Sequence, residues 1–164
     1  MEAAVLAARE ELDSVGGQVS CAVTGLPAGV GTPDFGRNVE GIFAQHLFAV
    51  PAVKAVEFGA GVGFAAMRGS QANDPFYMDG ETVRTRTNHA GGVNGGITNG
   101  MPVELRVTFR PTPSIAKKQE TVDLATGEGA ELEIVGRHDP CIVPRALPVV
   151  EAAAALAACE LLGI

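Results

Sequence analysis

Apolar positions recur along this chain in two different rhythms. Over residues 2–15, Val5, Ala8, Leu12 and Val15 fall on one stripe with Glu10, Glu11 and Asp13 off it. That spacing predicts an amphipathic helix, stopped by Gly16 and Gly17. Residues 18–24 then alternate, with Val19, Cys21 and Val23 on one face, which predicts a half-buried strand. A Pro/Gly loop follows, then a second helix over residues 35–48 with Val39, Ile42, Phe43, His46 and Leu47 on its stripe and Pro51 beyond its end. Residues 52–58 read as a short strand broken by Gly59, Gly61 and Gly63. Residues 102–109 alternate cleanly, with Val103, Leu105, Val107 and Phe109 set against Glu104, Arg106 and Thr108. Residues 121–124 and 131–135 flank a Gly-containing turn and predict a hairpin. A last helix is expected to begin at Pro148, with Val150, Ala154, Ala157 and Leu161 facing inwards.

Between residues 68 and 99 neither rhythm holds. A run that long without a period is expected to be a functional lid or a disordered segment. The order of elements, two helix–strand units followed mostly by antiparallel strands and a helix, predicts an α+β fold with helices packed against or between antiparallel β-sheets. No linker divides residues 1–164, so one domain is expected.

Charge sharpens this picture. The net charge is −7, which argues against general nucleic-acid binding. Yet six Arg or Lys (Arg84, Arg86, Arg106, Arg110, Lys117, Lys118) lie in residues 82–118, opposed only by Glu104. One basic stretch in an acidic chain suggests a pocket for a small anion rather than a nucleic-acid groove, which also wants interleaved aromatics. No apolar run is long enough to span a bilayer, and no membrane role is expected. The first residues lack a signal-peptide pattern. Cys21, Cys141 and Cys159 form no short-spaced metal pair, and an odd count fits reduced thiols in a cytoplasmic protein.

Three stretches carry candidate chemistry. In residues 87–100, TNHAGGVNGGITNG, five glycines fall within ten residues beside Asn88, His89, Asn94 and Asn99. Glycines at this density can take positive φ and turn backbone N–H groups into a concavity, which predicts a ligand-facing loop. In Arg110-Pro111-Thr112-Pro113-Ser114 two prolines stiffen the chain, so Thr112 and Ser114 can present hydroxyls beside the Arg110 guanidinium, which suits a phosphate or a flavin edge; standing alone, the segment reads equally as an ordinary strand exit. In Arg137-His138-Asp139-Pro140-Cys141 a cation, an imidazole and a carboxylate adjoin, and Asp139 is a candidate acid/base or positioning group, although taken alone the cluster reads more simply as an ion pair in a loop before a helix. The run Gly59-Ala60-Gly61-Val62-Gly63 is not a dinucleotide fingerprint, because its third glycine comes one position early and no amphipathic helix opens there. His46 on its apolar stripe reads as a packing or interface histidine, and Cys141 as a small packing residue.

These strings resemble the chorismate synthase family. The resemblance runs through residues 50–74, 87–115 and 136–156, the last with Arg137-His138-Asp139-Pro140-Cys141 followed by Glu151 in the next helix. Residues 32–40, TPDFGRNVE, depart from the family's more usual Phe-Asp-Lys/Arg-Leu-Asp pattern. Family members are about twice this length, above the usual size of one domain, and the chain resembles their C-terminal half. The Gly-Glu-Ser-His-Gly signature, a second essential histidine and an Arg-Ser-Ser-Ala-Arg type motif belong to the missing N-terminal half.

The resemblance implies a lyase of the shikimate pathway of aromatic amino acid biosynthesis. Its reaction removes phosphate and a C6 proton from 5-enolpyruvylshikimate 3-phosphate to give chorismate. Reduced FMN is required, with NADPH as an implied reductant, and there is no net redox change. A homotetramer is implied as well. The family's flavin contacts fall here on Pro51, Ala52, Gly95, Arg110, Pro111, Thr112, Pro113, Ser114 and Arg137. Asp139 matches the aspartate held to assist proton movement at the flavin. No metal is implied. Without the missing half the isolated chain is expected to be inactive. The rival expectations are a non-catalytic flavin- or anion-binding module and an oligomerisation fragment.

Overall fold

The structure is a computed structural model and describes residues 1–164. Helix α1 (Glu2–Glu10) leads into β1 (Gly17–Val23), then α2 (Val39–Phe48) and β2 (Val53–Phe58). A 3-10 turn (Gly61–Ala66) and a single helical turn, α3 (Gly69–Ala72), precede two small hairpins: β3 (Phe76–Asp79) with β4 (Thr82–Thr85), and β5 (Val93–Asn94) with β6 (Ile97–Thr98). Then come β7 (Val103–Phe109), the hairpin β8 (Gln119–Val122) with β9 (Gly129–Leu132), and α4 (Val143–Leu162).

The main sheet has the order β1-β7-β2, with β7 antiparallel to both neighbours. Its alternation decides which face is buried: Val103, Leu105, Val107 and Phe109 lie in the core, and Val19, Val53 and Phe58 join them on the same face. Helix α2 covers the β2 side and α4 the β1 side, and the two helices pack on each other. Val39, Phe43 and Leu47 seal α2 to the sheet, with Phe43 edge-on to Phe58 at 6.5 Å between ring centroids. Ala146, Ala153, Ala154 and Ala157 let α4 lie close. The mixed α+β class expected from the pattern is what forms, with the helices against one antiparallel sheet.

Several boundaries differ from those expected. Helix α1 stops after Glu10 because Leu12 turns left-handed (φ 58). This frees Val15, whose N–H bonds the Pro140 carbonyl at 2.8 Å. Helix α2 starts at Val39 rather than at residue 35, because the Asn38 side chain accepts the Gly41 N–H at 2.6 Å and caps it there. Helix α4 starts at Val143, a turn before Pro148, with Pro144 in its first turn and Pro148 inside it. The missing N–H of Pro148 removes one bond from an early turn, which the long apolar contact face outweighs. The segment without a period is ordered, as hairpins too short to show one.

Helix α4 carries only Arg145, Glu151 and Glu160 as charges among its 20 residues. Its core-facing stripe is buried, yet Val149 and Leu156 on the far side are 45% and 61% exposed. A helix apolar all round is built to be covered all round. No helix here is long and apolar enough to cross a membrane.

Candidate functional site

Strand β7 has a glycine-rich neighbourhood at its start and an arginine-rich one at its end. They are separated by roughly 20 Å, the length of a seven-residue strand.

At the start, the glycines serve close backbone approach. A Cβ on Gly59 would sit 1.9 Å from the His89 carbonyl oxygen, and one on Gly91 would meet the Gly59 amide nitrogen at 2.4 Å. The N–H groups of residues 89–92 are spent internally, so none of these four is left to face a ligand. The N–H groups of His89 and Ala90 donate to the two oxygens of Asp74, each at 2.8 Å. The Gly91 N–H donates to the Asn88 carbonyl at 3.0 Å, and the Gly92 N–H to the Asn88 side chain at 2.7 Å. Burial alone pushes the Asp74 carboxyl up. The Thr87 hydroxyl, the two amides and the nearby His89 imidazole outweigh it and hold the carboxyl below the ordinary range. Gly95 differs from its neighbours: in the tight turn of β5–β6 it is exposed (φ 59), with open space where a Cβ would stand.

At the end of β7, three of the candidate segments meet. The Arg110 N–H donates to the Ala52 carbonyl at 3.0 Å, which joins the Pro51–Ala52 turn to Arg110. Ala52 itself is held left-handed (φ 72), a conformation that costs a non-glycine residue about 1 kcal/mol. Ser14 Oγ donates to the Thr112 carbonyl at 2.6 Å, and Lys117 Nζ to Asp13 at 2.7 Å. The Lys117 hydrogen bond, then the Ser14 amide, hold the Asp13 carboxyl low, while Asp13 raises Lys117. Through Val15 and Pro140 the same seam touches the Arg137–Cys141 stretch. A cleft of about 270 Å³ is lined on one side by Asp13 and Ala116 and on the other by Gly136, Arg137 and His138. Beside it, a hollow of about 310 Å³ is walled by Arg137, His138, Asp139 and Arg145.

The electrostatics of this end are uneven. Arg110 and Arg137 are exposed and belong to no ion pair. Asp139 Oδ2 is paired with Arg145 Nη1 at 2.9 Å, and His138 Nε2 bonds the Ile134 carbonyl at 2.8 Å. The Thr112 hydroxyl oxygen is buried and finds no partner. A buried hydroxyl left unpaired costs about 1–3 kcal/mol, so it marks a position that an added acceptor or donor would complete. Proline-fixed backbone, unspent cations and this hydroxyl together fit an anionic tail such as that of FMN.

Thus Pro51, Ala52, Arg110, Pro111, Thr112, Pro113, Ser114, Arg137 and Asp139 gather at one end, and Gly95 stands at the other. The reading of sequence missed Asp74, the seam of Asp13 and Ser14, and Arg145. Only Arg145 had a signal, a cation six residues after Asp139 in the same charged cluster. A larger cleft of about 490 Å³ lies on the open sheet face between Ser20, Ala22, Glu104 and Arg106. Its one cation, Arg106, is already bonded to the Gly59 carbonyl at 3.1 Å, and burial followed by the Glu151 charge pushes the Cys21 thiol up, so this cleft offers little chemistry. His46 pairs with Glu160 at 2.7 Å, tying α2 to α4 as a packing histidine.

The family model for chorismate synthase matches residues 1–162. The chain is 54% identical over 152 residues to the chorismate synthase of Methanocella arvoryzae, covering 93% of this chain and 41% of that protein. It is 48% identical over 163 residues to that of Methanocaldococcus jannaschii, covering 99% and 43%. A crystal structure of a chorismate synthase superimposes with a TM-score of 0.76 at 28% identity, over 95% of this chain and 39% of that one. The chain thus spans about two fifths of its relatives' length, somewhat less than the half expected. The chain belongs to the chorismate synthase family.

Proposed function

We propose that this chain is the flavin-holding portion of a chorismate synthase acting in the cytoplasm. The reaction is the elimination of phosphate and the C6 proton from 5-enolpyruvylshikimate 3-phosphate, with chorismate as product. The family match along residues 1–162 carries the reading. The buried, partnerless Thr112 hydroxyl beside Arg110 supports it locally.

In this reading reduced FMN supplies electron density for the cleavage of the C–O bond. The chain's own residues bind and orient. Arg110 and Arg137 supply positive charge for a phosphate, with Arg chosen over Lys for bidentate geometry. Pro111 and Pro113 fix the backbone so that Thr112 and Ser114 aim their hydroxyls at it. The Ala52 carbonyl, by taking the Arg110 N–H, sets the level of that run. Asp139, steadied through Oδ2 by Arg145, holds or releases a proton at its carboxylate. In this reading Gly95, at the far end of β7, meets the flavin held by another copy of the chain, as a homotetramer would arrange.

The test is direct. FMN fluorescence is titrated against this chain alone and against the chain supplemented with the N-terminal portion of a relative, with phosphate release followed in the second case. Flavin binding, with phosphate release only in the supplemented mixture, is expected. Flavin-dependent release that never appears in a mixture shown to associate would sink the enzymatic reading.

A further inference from the structure

We infer that Asp74 is the positioning residue of the glycine loop, its carboxylate acting as a built-in anion in a two-amide nest. Asp74 lies in the connection between α3 and β3 and is 7% exposed. One oxygen, Oδ1, accepts both the Thr87 hydroxyl at 2.6 Å and the His89 N–H at 2.8 Å, and Oδ2 accepts the Ala90 N–H at 2.8 Å. Successive N–H groups converging on one point form the concavity that elsewhere receives a phosphate or carboxylate. Here the occupant is supplied by the chain itself.

The clamp extends outward from that point. Thr85 Oγ1 donates to the Thr87 carbonyl at 2.6 Å, tying the nest to the end of β4. Asn88 donates to the Pro102 carbonyl at 3.0 Å and accepts the Gly92 N–H, tying it to the start of β7. The His89 carbonyl in turn accepts the Ala60 N–H at 2.7 Å. Asp74 therefore fixes where His89 and Ala90 lie and, through Gly91 and Gly92, how the Gly95 turn is presented. An unpaired amide pair left in this buried place would be costly, so removing the carboxylate releases the loop or opens a site for an external one. For its effect on ligand this inference rests on the flavin reading; for its effect on the loop it stands alone.

The experiment is chemical rescue in this 164-residue chain. Asp74→Ala is expected to lose hydrogen-exchange protection at the His89 and Ala90 amides and to weaken FMN binding about tenfold, a charged hydrogen bond's worth. Sodium formate should restore both, with the two amide resonances shifting on addition. Formamide, of like size but uncharged, should not. Equal rescue by formamide, or no response of the two amides to formate in a folded variant, overturns the inference. Should Asp74→Ala fail to fold, Thr87→Val removes only one donor to the same oxygen. It is expected to lower protection at His89 and Ala90 selectively, and unchanged protection there overturns the inference equally. A wild-type chain that binds no FMN while the amide rescue holds would refute the flavin reading and leave the clamp standing.

Discussion

The two ends of β7 handle polar groups in opposite ways. Around Gly59, Gly91 and Gly92 every donor named above has an internal acceptor, and backbones lie too close for a side chain. Around Arg110–Ser114 and Arg137–Arg145, two guanidiniums are exposed and unpaired, a threonine hydroxyl is buried without a partner, and an alanine is held left-handed. The first end is finished by its own residues. The second is not, and unfinished bonding and local strain are where a ligand is accommodated. The density of glycine thus points to tight scaffolding here, and the arginines with their prolines mark the place where chemistry is expected.

The largest effect should come from crowding the finished end. Gly59→Ala places a methyl group within 1.9 Å of a carbonyl oxygen at positive φ. A loss of roughly 4 kcal/mol or more is expected, read as a lower urea midpoint or as insoluble protein. A fully stable variant would mean that the two loops are not pressed together.

Next is the buried carboxylate. Asp74→Asn should cost about 2–3 kcal/mol, since hydrogen bonds to a charged acceptor are lost and an amide group meets amides. The folded-state value of Asp74 is depressed, so its contribution is present above the ordinary carboxylate value of 3.8 and is lost as pH falls through the lower folded value. Wild-type stability should therefore fall in that acid window, and Asp74→Asn should flatten this part of the profile. Urea midpoints measured across the range decide it, and parallel profiles would count against the clamp.

At the unfinished end the signature reverses, with ligand affinity moving more than stability. Arg110→Ala should weaken FMN binding by about 2 kcal/mol, as loss of a charge-assisted contact does, with little change in Tm. Equal FMN affinity in variant and wild type would remove Arg110 from the site. The smallest effect belongs to Thr112→Val. Replacing a hydroxyl that has no partner should leave the ligand-free chain within about 1 kcal/mol of wild type, or slightly above it, while FMN affinity drops. A marked destabilisation would show that the hydroxyl is bonded after all.

The sequence was legible where one rhythm ran long enough to state itself. Val103 to Phe109 alternate over a full strand with one face in the core, so β7 and its partner β1 are plain in the pattern. The α2 stripe from Val39 to Leu47 is equally clear. Hairpins β3–β4 and β5–β6 escaped because strands of four and two residues pair through their turns, with glycines such as Gly80, Gly95 and Gly96 at positive φ, and show no period. The start of α4 was displaced because Pro148 and Pro144 are equally good first-turn residues, and only packing of Val143 and Ala146 chooses between them. At the candidate site, arginine and proline runs are local and could be read directly. Asp74 could not: it meets Thr87, His89 and Ala90 across 13 to 16 residues, and its burial is a tertiary fact.

The bare flank of α4 has a practical corollary. With Val149 and Leu156 open to water along one rod, the polypeptide handled by itself is expected to be sticky: it should self-associate as concentration rises, bind hydrophobic dyes such as ANS, and lose both habits once a complementary layer seals that side.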